Sequence, residues 1–160
     1  MSEDTVNNSA SSAPLRLKTT GTSDTLAFFY GLWAFSALGR AVYQYIWKHP
    51  VNFMPTHIST FVGVLYIAII IGLRRRSPRA WWTTLALLCI ELAGVLVVGT
   101  IDVVWHPFAY ASVWSAYGKG YFFMPLVLPF VGLAWLLRKE TRAAYWQAAA
   151  VDSRQSAGGR

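Results

Sequence analysis

Charge is scarce in this sequence. Of 160 residues only 13% are Asp, Glu, Lys or Arg, against the ~25% usual in a soluble domain. Cysteine is scarcer still. Cys89 stands alone, which excludes an internal disulfide framework and any paired-cysteine redox chemistry. The three histidines, His49, His57 and His106, all fall at or beyond the outer ends of the spans, so none sits at the depth a haem would need. The spacing of His49 and His57 matches no standard zinc site, and Asp102 with His106 at i, i+4 supplies only two ligands. Gly118-Lys119-Gly120 is too short for a phosphate loop and follows no strand. No metal or cofactor is called for, and no complete catalytic constellation can be assembled.

Apolar residues make up 55% of the chain and aromatic ones 16%. The apolar runs approach the roughly 20 residues needed to cross a bilayer, which excludes a soluble helical bundle. We therefore expect an all-α, four-helix transmembrane bundle. Its spans cover residues 25–47, 56–73, 80–101 and 121–137, within a membrane domain at 24–139. Residues 1–23, rich in Ser, Thr and Asn, read as a disordered tail, with Asp24 as the cap of the first helix. A cleavable signal peptide is disfavoured because the apolar run exceeds the usual ~7–15-residue signal core. Residues 140–160 form a second, partly helical tail, on the strength of its alanines.

Arg74-Arg75-Arg76-Ser77-Pro78-Arg79 is the densest positive charge and separates two long apolar runs, so they must fold back as a hairpin. Short basic loops stay cytoplasmic. Arg16, Lys18, Arg138, Lys139, Arg142, Arg154 and Arg160 fall on the same side, and only Lys48 and Lys119 on the other. Both termini are thus expected in the cytoplasm. The formal net charge of +7 flanks the spans rather than forming a basic face. It points to anionic lipid headgroups and not to nucleic acid.

Residues 102–120, external in this topology, are dense in Trp and Tyr. Such rings favour headgroup depth, so this segment should lie flat on the outer leaflet or cap the bundle. Pro125 and Pro129 should interrupt the fourth span by removing backbone donors. Spans one and two do not echo three and four, so an inverted-repeat transporter gains no support.

Two ionisable residues lie inside spans, Arg40 and Glu91. Intramembrane charges normally pair or face a wet cavity. At ~1.5 Å per residue, Arg40 stands about 22 Å and Glu91 about 16 Å above the inner edge. One turn of height separates them, so they form a candidate pair. Asp102 is the rival partner of Arg40. Ser36, Tyr43, Gln44 and Trp47 recur with Arg40 at helical spacing and suggest an inward polar stripe. Around Glu91 the matching face, Thr84, Leu87, Gly94, Val95 and Val98, is small or apolar and permits close helix approach.

Val113-Trp114-Ser115-Ala116-Tyr117-Gly118-Lys119-Gly120-Tyr121, followed by Met124-Pro125-Leu126-Val127-Leu128-Pro129, resembles the small four-span membrane proteins of actinobacteria, over roughly residues 80–142. The resemblance implies a plasma-membrane address and carries no activity. The leading expectation is a non-enzymatic accessory or scaffold subunit of an envelope or division complex, working with a second copy or a membrane-protein partner. The alternative is a small proton- or cation-coupled transporter, or a lipid-handling protein, built on Glu91 and Arg40.

Overall fold

The computed structural model describes residues 13–47, 53–105 and 112–158, and every regular element among them is helical. Five α-helices follow in order: α1 (Ala13–Trp47), α2 (Phe53–Arg74), α3 (Pro78–Trp105), α4 (Met124–Leu136) and α5 (Lys139–Gly158). A short 3-10 segment, Ser115–Tyr121, precedes α4. Three helices are long and apolar enough to cross a membrane: α1 from Gly21, α2 from Thr56, and α3. The 3-10 segment and α4, bent by 96° at their junction, make a fourth crossing if they count as one span. This is the pattern of a multi-pass membrane protein.

The first helix begins at Ala13, well before the expected start. Pro14 suits a first turn, where its missing N–H costs nothing, and Leu15-Arg16-Leu17-Lys18 are good helix formers. Asp24 therefore lies exposed within the helix and caps nothing. Its neighbour Thr25 bonds back to the Gly21 carbonyl at 2.9 Å. Residues 48–52, with His49 and Pro50, lie outside the described residues, as do residues 1–12. Pro55 falls in the first turn of α2, which starts at Phe53.

Helices α1 and α2 form the most intimate pair. Leu26, Tyr30, Ala34, Ala37 and Ala41 line one face of α1, and Val62, Leu65, Tyr66, Ile69 and Leu73 the facing stripe of α2. The alanines matter because lipid is as apolar as leucine, so helices associate in a membrane by close van der Waals approach. The arginine hairpin then returns the chain. Ser77 Oγ accepts from the Ala80 amide at 3.2 Å and Pro78 opens α3. This is a side-chain cap followed by a first-turn proline. Gly72 meets the Thr84 side chain so closely that a Cβ there would collide with it. On α3, Trp81, Thr84, Leu88, Glu91, Val95 and Gly99 are buried at three- and four-residue spacing, while the opposite face is exposed. Glu91 thus sits mid-stripe on the inward face.

The last helix closes the arginine end. The Tyr145 hydroxyl donates to the carbonyls of Gly72 (3.2 Å) and Leu73 (3.4 Å), which end α2 and lack intrahelical partners. Trp81 Nε1 does the same for the Leu136 carbonyl at the end of α4, at 3.1 Å. The Arg142 guanidinium lies 5.6 Å from the Trp81 ring and 5.3 Å from the Trp146 ring. Burial pushes the Tyr145 phenol up to about 12, against a smaller downward pull from Arg76. The hydroxyl therefore stays a donor through the physiological range.

Tyr145→Phe should lower stability by about 1–2 kcal/mol, since two buried carbonyls lose their donor. A thermal melt in mild detergent checks this. Because the folded-state value is raised, the Tyr145 contribution is complete below the ordinary tyrosine range and fades as pH climbs toward about 12. The Phe variant should show no such alkaline loss.

Candidate intramembrane carboxyl site

Glu91 is fully enclosed, with 0% of its surface exposed. Its Oε2 accepts a hydrogen bond from the Tyr30 hydroxyl at 2.9 Å. Tyr30 is itself fully buried and packs edge-to-face on Tyr66, with ring centroids 5.3 Å apart. The Tyr66 hydroxyl faces both Glu91 and Trp114 yet closes a hydrogen bond with neither. Glu91 Oε1, Tyr66 Oη, Trp114 Nε1 and Trp33 Nε1 are all buried without a hydrogen-bond partner among the described residues. On the α4 side Gly132 leaves room for this cluster: a Cβ there would lie 3.1 Å from Leu88 and 3.7 Å from the Tyr30 hydroxyl. One carboxyl thus gathers α1, α2, α3, α4 and the segment before α4.

That segment packs against α2 and α3. Ser112, Val113, Trp114 and Ser115 are buried, and the Trp114 indole occupies the notch that Gly94 leaves in α3. The ring also meets Phe61 of α2 edge-on, 6.1 Å between centroids. Tyr117 covers Gly99, where a Cβ would come within 2.6 Å of its ring, and its hydroxyl pairs with Thr100 at 3.1 Å. The chain then turns back through left-handed backbone at Ala116, Tyr117, Gly118, Phe122 and Phe123, with φ from 47° to 80°. Four of these are not glycine, and each costs of order 1–3 kcal/mol that the surrounding packing must offset. The turn is held by the Phe123 amide on the Gly118 carbonyl (3.0 Å) and by Pro125 packed on Gly118.

The expected helix breaks differ in kind. Pro125 starts α4, where a proline is free of cost, and Pro129 lies inside it with the helix running on to Leu136. The reversal of the chain is made by the left-handed pair Phe122-Phe123 instead.

Arg40 packs on an aromatic ring, and Glu91 takes a hydrogen bond from a tyrosine. The Arg40 guanidinium lies 5.3 Å over the Tyr121 ring, whose other neighbour is Trp33 at 5.3 Å. The hydrogen bond to Glu91 comes from Tyr30. The reason is azimuth: the buried stripe of α1 is Tyr30, Ala34, Ala37 and Ala41, and Arg40 lies half-buried at its edge. Of the polar stripe, Ser36 is half-buried, and Gln44 Oε1 accepts from Thr56 at 3.1 Å. Tyr43 is exposed and stacks on Trp47 at 5.8 Å. Arg74, Arg75, Arg76 and Arg79 occupy the α2–α3 turn as expected, half-buried at Arg76 and exposed otherwise. Asp102 is half-buried near the far end of α3.

His57 takes Tyr45 as a partner at 3.1 Å, and His106 lies outside the described residues. Among the described residues no group of three His, Cys, Asp or Glu could hold a metal. The functional side chains that the sequence reading missed are Tyr30, Tyr66 and Trp114. A signal existed for the tyrosines: both sit mid-span, whereas membrane tyrosines favour the interfaces. The chemistry this arrangement offers is the holding and release of a proton by one carboxyl flanked by two phenols. No family model, curated protein or solved structure matches the chain.

Tyr30→Phe leaves a buried carboxyl oxygen without its donor and should cost about 1–3 kcal/mol. Gly94→Val should cost about 1–3 kcal/mol by expelling the Trp114 ring. In thermal melts a Gly94 variant as stable as wild type would contradict the seating of Trp114.

Proposed function

We propose that this protein is a small multi-pass membrane transporter in which Glu91 takes up and releases a proton or a cation as its access alternates between the two faces. The observation that carries the reading is a carboxyl enclosed midway along an apolar helix whose hydrogen bond comes from a tyrosine, with its second oxygen unpartnered among the described residues. Ionisable groups within spans are costly to bury and recur along ion and proton pathways. A crossing broken into a 3-10 segment and a short helix beside that carboxyl supports it too, because discontinuous helices line substrate sites in many transporters. Arg40 acts in this reading as the cation that holds the Tyr121 ring. Both termini and the arginine hairpin face the cytoplasm of a bacterial cell, where Arg74, Arg75, Arg79, Arg138 and Lys139 meet anionic headgroups.

The accessory-subunit reading draws on a different observation. The outward face of α3, with Ile90, Leu96, Val97, Val103 and Val104, is exposed along its length and leaves room for a second copy or a partner helix. Recovery of a stoichiometric partner protein in a mild-detergent pull-down would favour it.

The direct test is proton flux into proteoliposomes carrying a pH-sensitive dye. We expect an imposed gradient to collapse faster with wild-type protein than with empty vesicles, and Glu91→Gln to return the rate to that of empty vesicles while eluting as a folded species. A wild-type protein that passes neither protons nor alkali cations, with Glu91→Gln changing only the melting temperature, would refute the transport reading.

A further inference from the structure

We propose that Tyr66 links the protonation of Glu91 to the seating of Trp114, so that Trp114 is the residue that seals the site at the end away from the arginine hairpin. The inference rests on the reading that Glu91 exchanges a proton. Three observations lead to it. The Tyr66 hydroxyl faces both Glu91 and the Trp114 indole, and Glu91 Oε1, Tyr66 Oη and Trp114 Nε1 are buried with no hydrogen-bond partner among the described residues. Gly94, into which the indole fits, is three residues along α3 from Glu91, so the ring lies one turn beyond the carboxyl. The segment that carries Trp114 is held in left-handed backbone at Ala116, Tyr117, Phe122 and Phe123, a conformation that persists only while its packing does.

The hydrogen-bonding logic sets the direction. An indole N–H only donates, and a carboxylate only accepts. When Glu91 is ionised, the Tyr66 O–H can donate to Oε1 while its oxygen accepts from Trp114 Nε1. Every member of that chain is satisfied, and each bond strengthens the next. When Glu91 carries a proton, its own O–H competes with Trp114 for the Tyr66 oxygen, and the hold on Trp114 weakens. The other groups around Glu91 do not reverse this. Tyr30 from α1 stays a donor to Oε2, Gly132 brings nothing titratable from α4, and Tyr121 from the segment before α4 lies under Arg40. Protonation of Glu91 therefore unlatches Trp114, and loss of the proton reseats it.

The test is thiol accessibility in the full-length protein. Cys89, exposed on α3, is replaced by Ser, and Val95→Cys places a thiol on the buried stripe one turn beyond Glu91. A charged, membrane-impermeant thiol reagent is added from the side opposite the arginine hairpin. Rates are normalised to Trp47→Cys, at an exposed position, to remove the pH dependence of the thiol itself. We expect labelling at mildly acidic pH to exceed that at mildly alkaline pH by roughly tenfold, a modest shift between two states. Tyr66→Phe and Glu91→Gln should each abolish that pH dependence, and Trp114→Ala should give fast labelling at both pH values. Persistence of the pH dependence in Tyr66→Phe would overturn the proposal, as would a Trp114→Ala protein that stays unlabelled. Should Glu91→Gln abolish proton flux while Tyr66→Phe leaves the labelling profile intact, transport stands and the link falls. Should labelling follow this pattern without any flux, the link stands and transport falls.

Discussion

The hydrogen bond from Tyr30 to Glu91, 2.9 Å long and sealed from every solvent, is the constraint around which the membrane-embedded part of the protein is arranged. A carboxyl in the middle of a bilayer must find its partners within protein, because lipid offers none. Meeting that demand fixes the rotation of α1, which must present Tyr30. It fixes that of α3, which must present Glu91 between Leu88 and Val95. It also accounts for the edge-to-face seat of Tyr30 on Tyr66, by which α2 steadies the donor. A shift of either helix by a turn would leave the buried carboxyl without its donor.

Around that point the two ends of the molecule are built on different physics. At the arginine end, regular helices are closed by side chains that satisfy their terminal carbonyls: Tyr145 for α2 and Trp81 for α4. Arg142 fills the angle between two indoles there, and the helix that carries it lies against the hairpin. At the far end the backbone leaves helical conformation, and order comes from rings seated on glycines, Trp114 on Gly94 and Tyr117 on Gly99. Capped helices resist deformation, whereas a left-handed turn keeps its strain only while the surrounding packing holds it. Movement that exposes Glu91 is therefore expected at the end that Trp114 occupies.

Much of this frame was legible in the sequence. Hydropathy gave three spans to within a few residues, except that α1 starts earlier, and the Arg-Ser-Pro hairpin gave their connection. The importance of Glu91 followed from its being a carboxyl within a span. Its partner did not follow, because a rise per residue gives height but not azimuth. Arg40 lies half-buried at the edge of the α1 stripe, over the Tyr121 ring. The fate of residues 112–123 was hidden for a related reason. Trp-rich segments usually stay at headgroup depth, and only the missing side chain of Gly94 lets this one enter the bundle. Gly94 itself was visible as a small residue beside Glu91, but small residues in spans normally admit another helix and not an indole. The prolines misled for the opposite reason: one starts its helix, and the chain reversal belongs to two phenylalanines with positive φ.

The central claim is that Glu91 is a carboxyl which changes protonation state inside the membrane. Infrared difference spectroscopy on the protein in lipid, titrated through mildly acidic to alkaline pH, reads that group directly. The account predicts a protonated-carboxyl carbonyl band that fades as pH rises, shifts in Tyr30→Phe and is missing in Glu91→Gln. A spectrum in which Glu91→Gln removes no titrating band would contradict it.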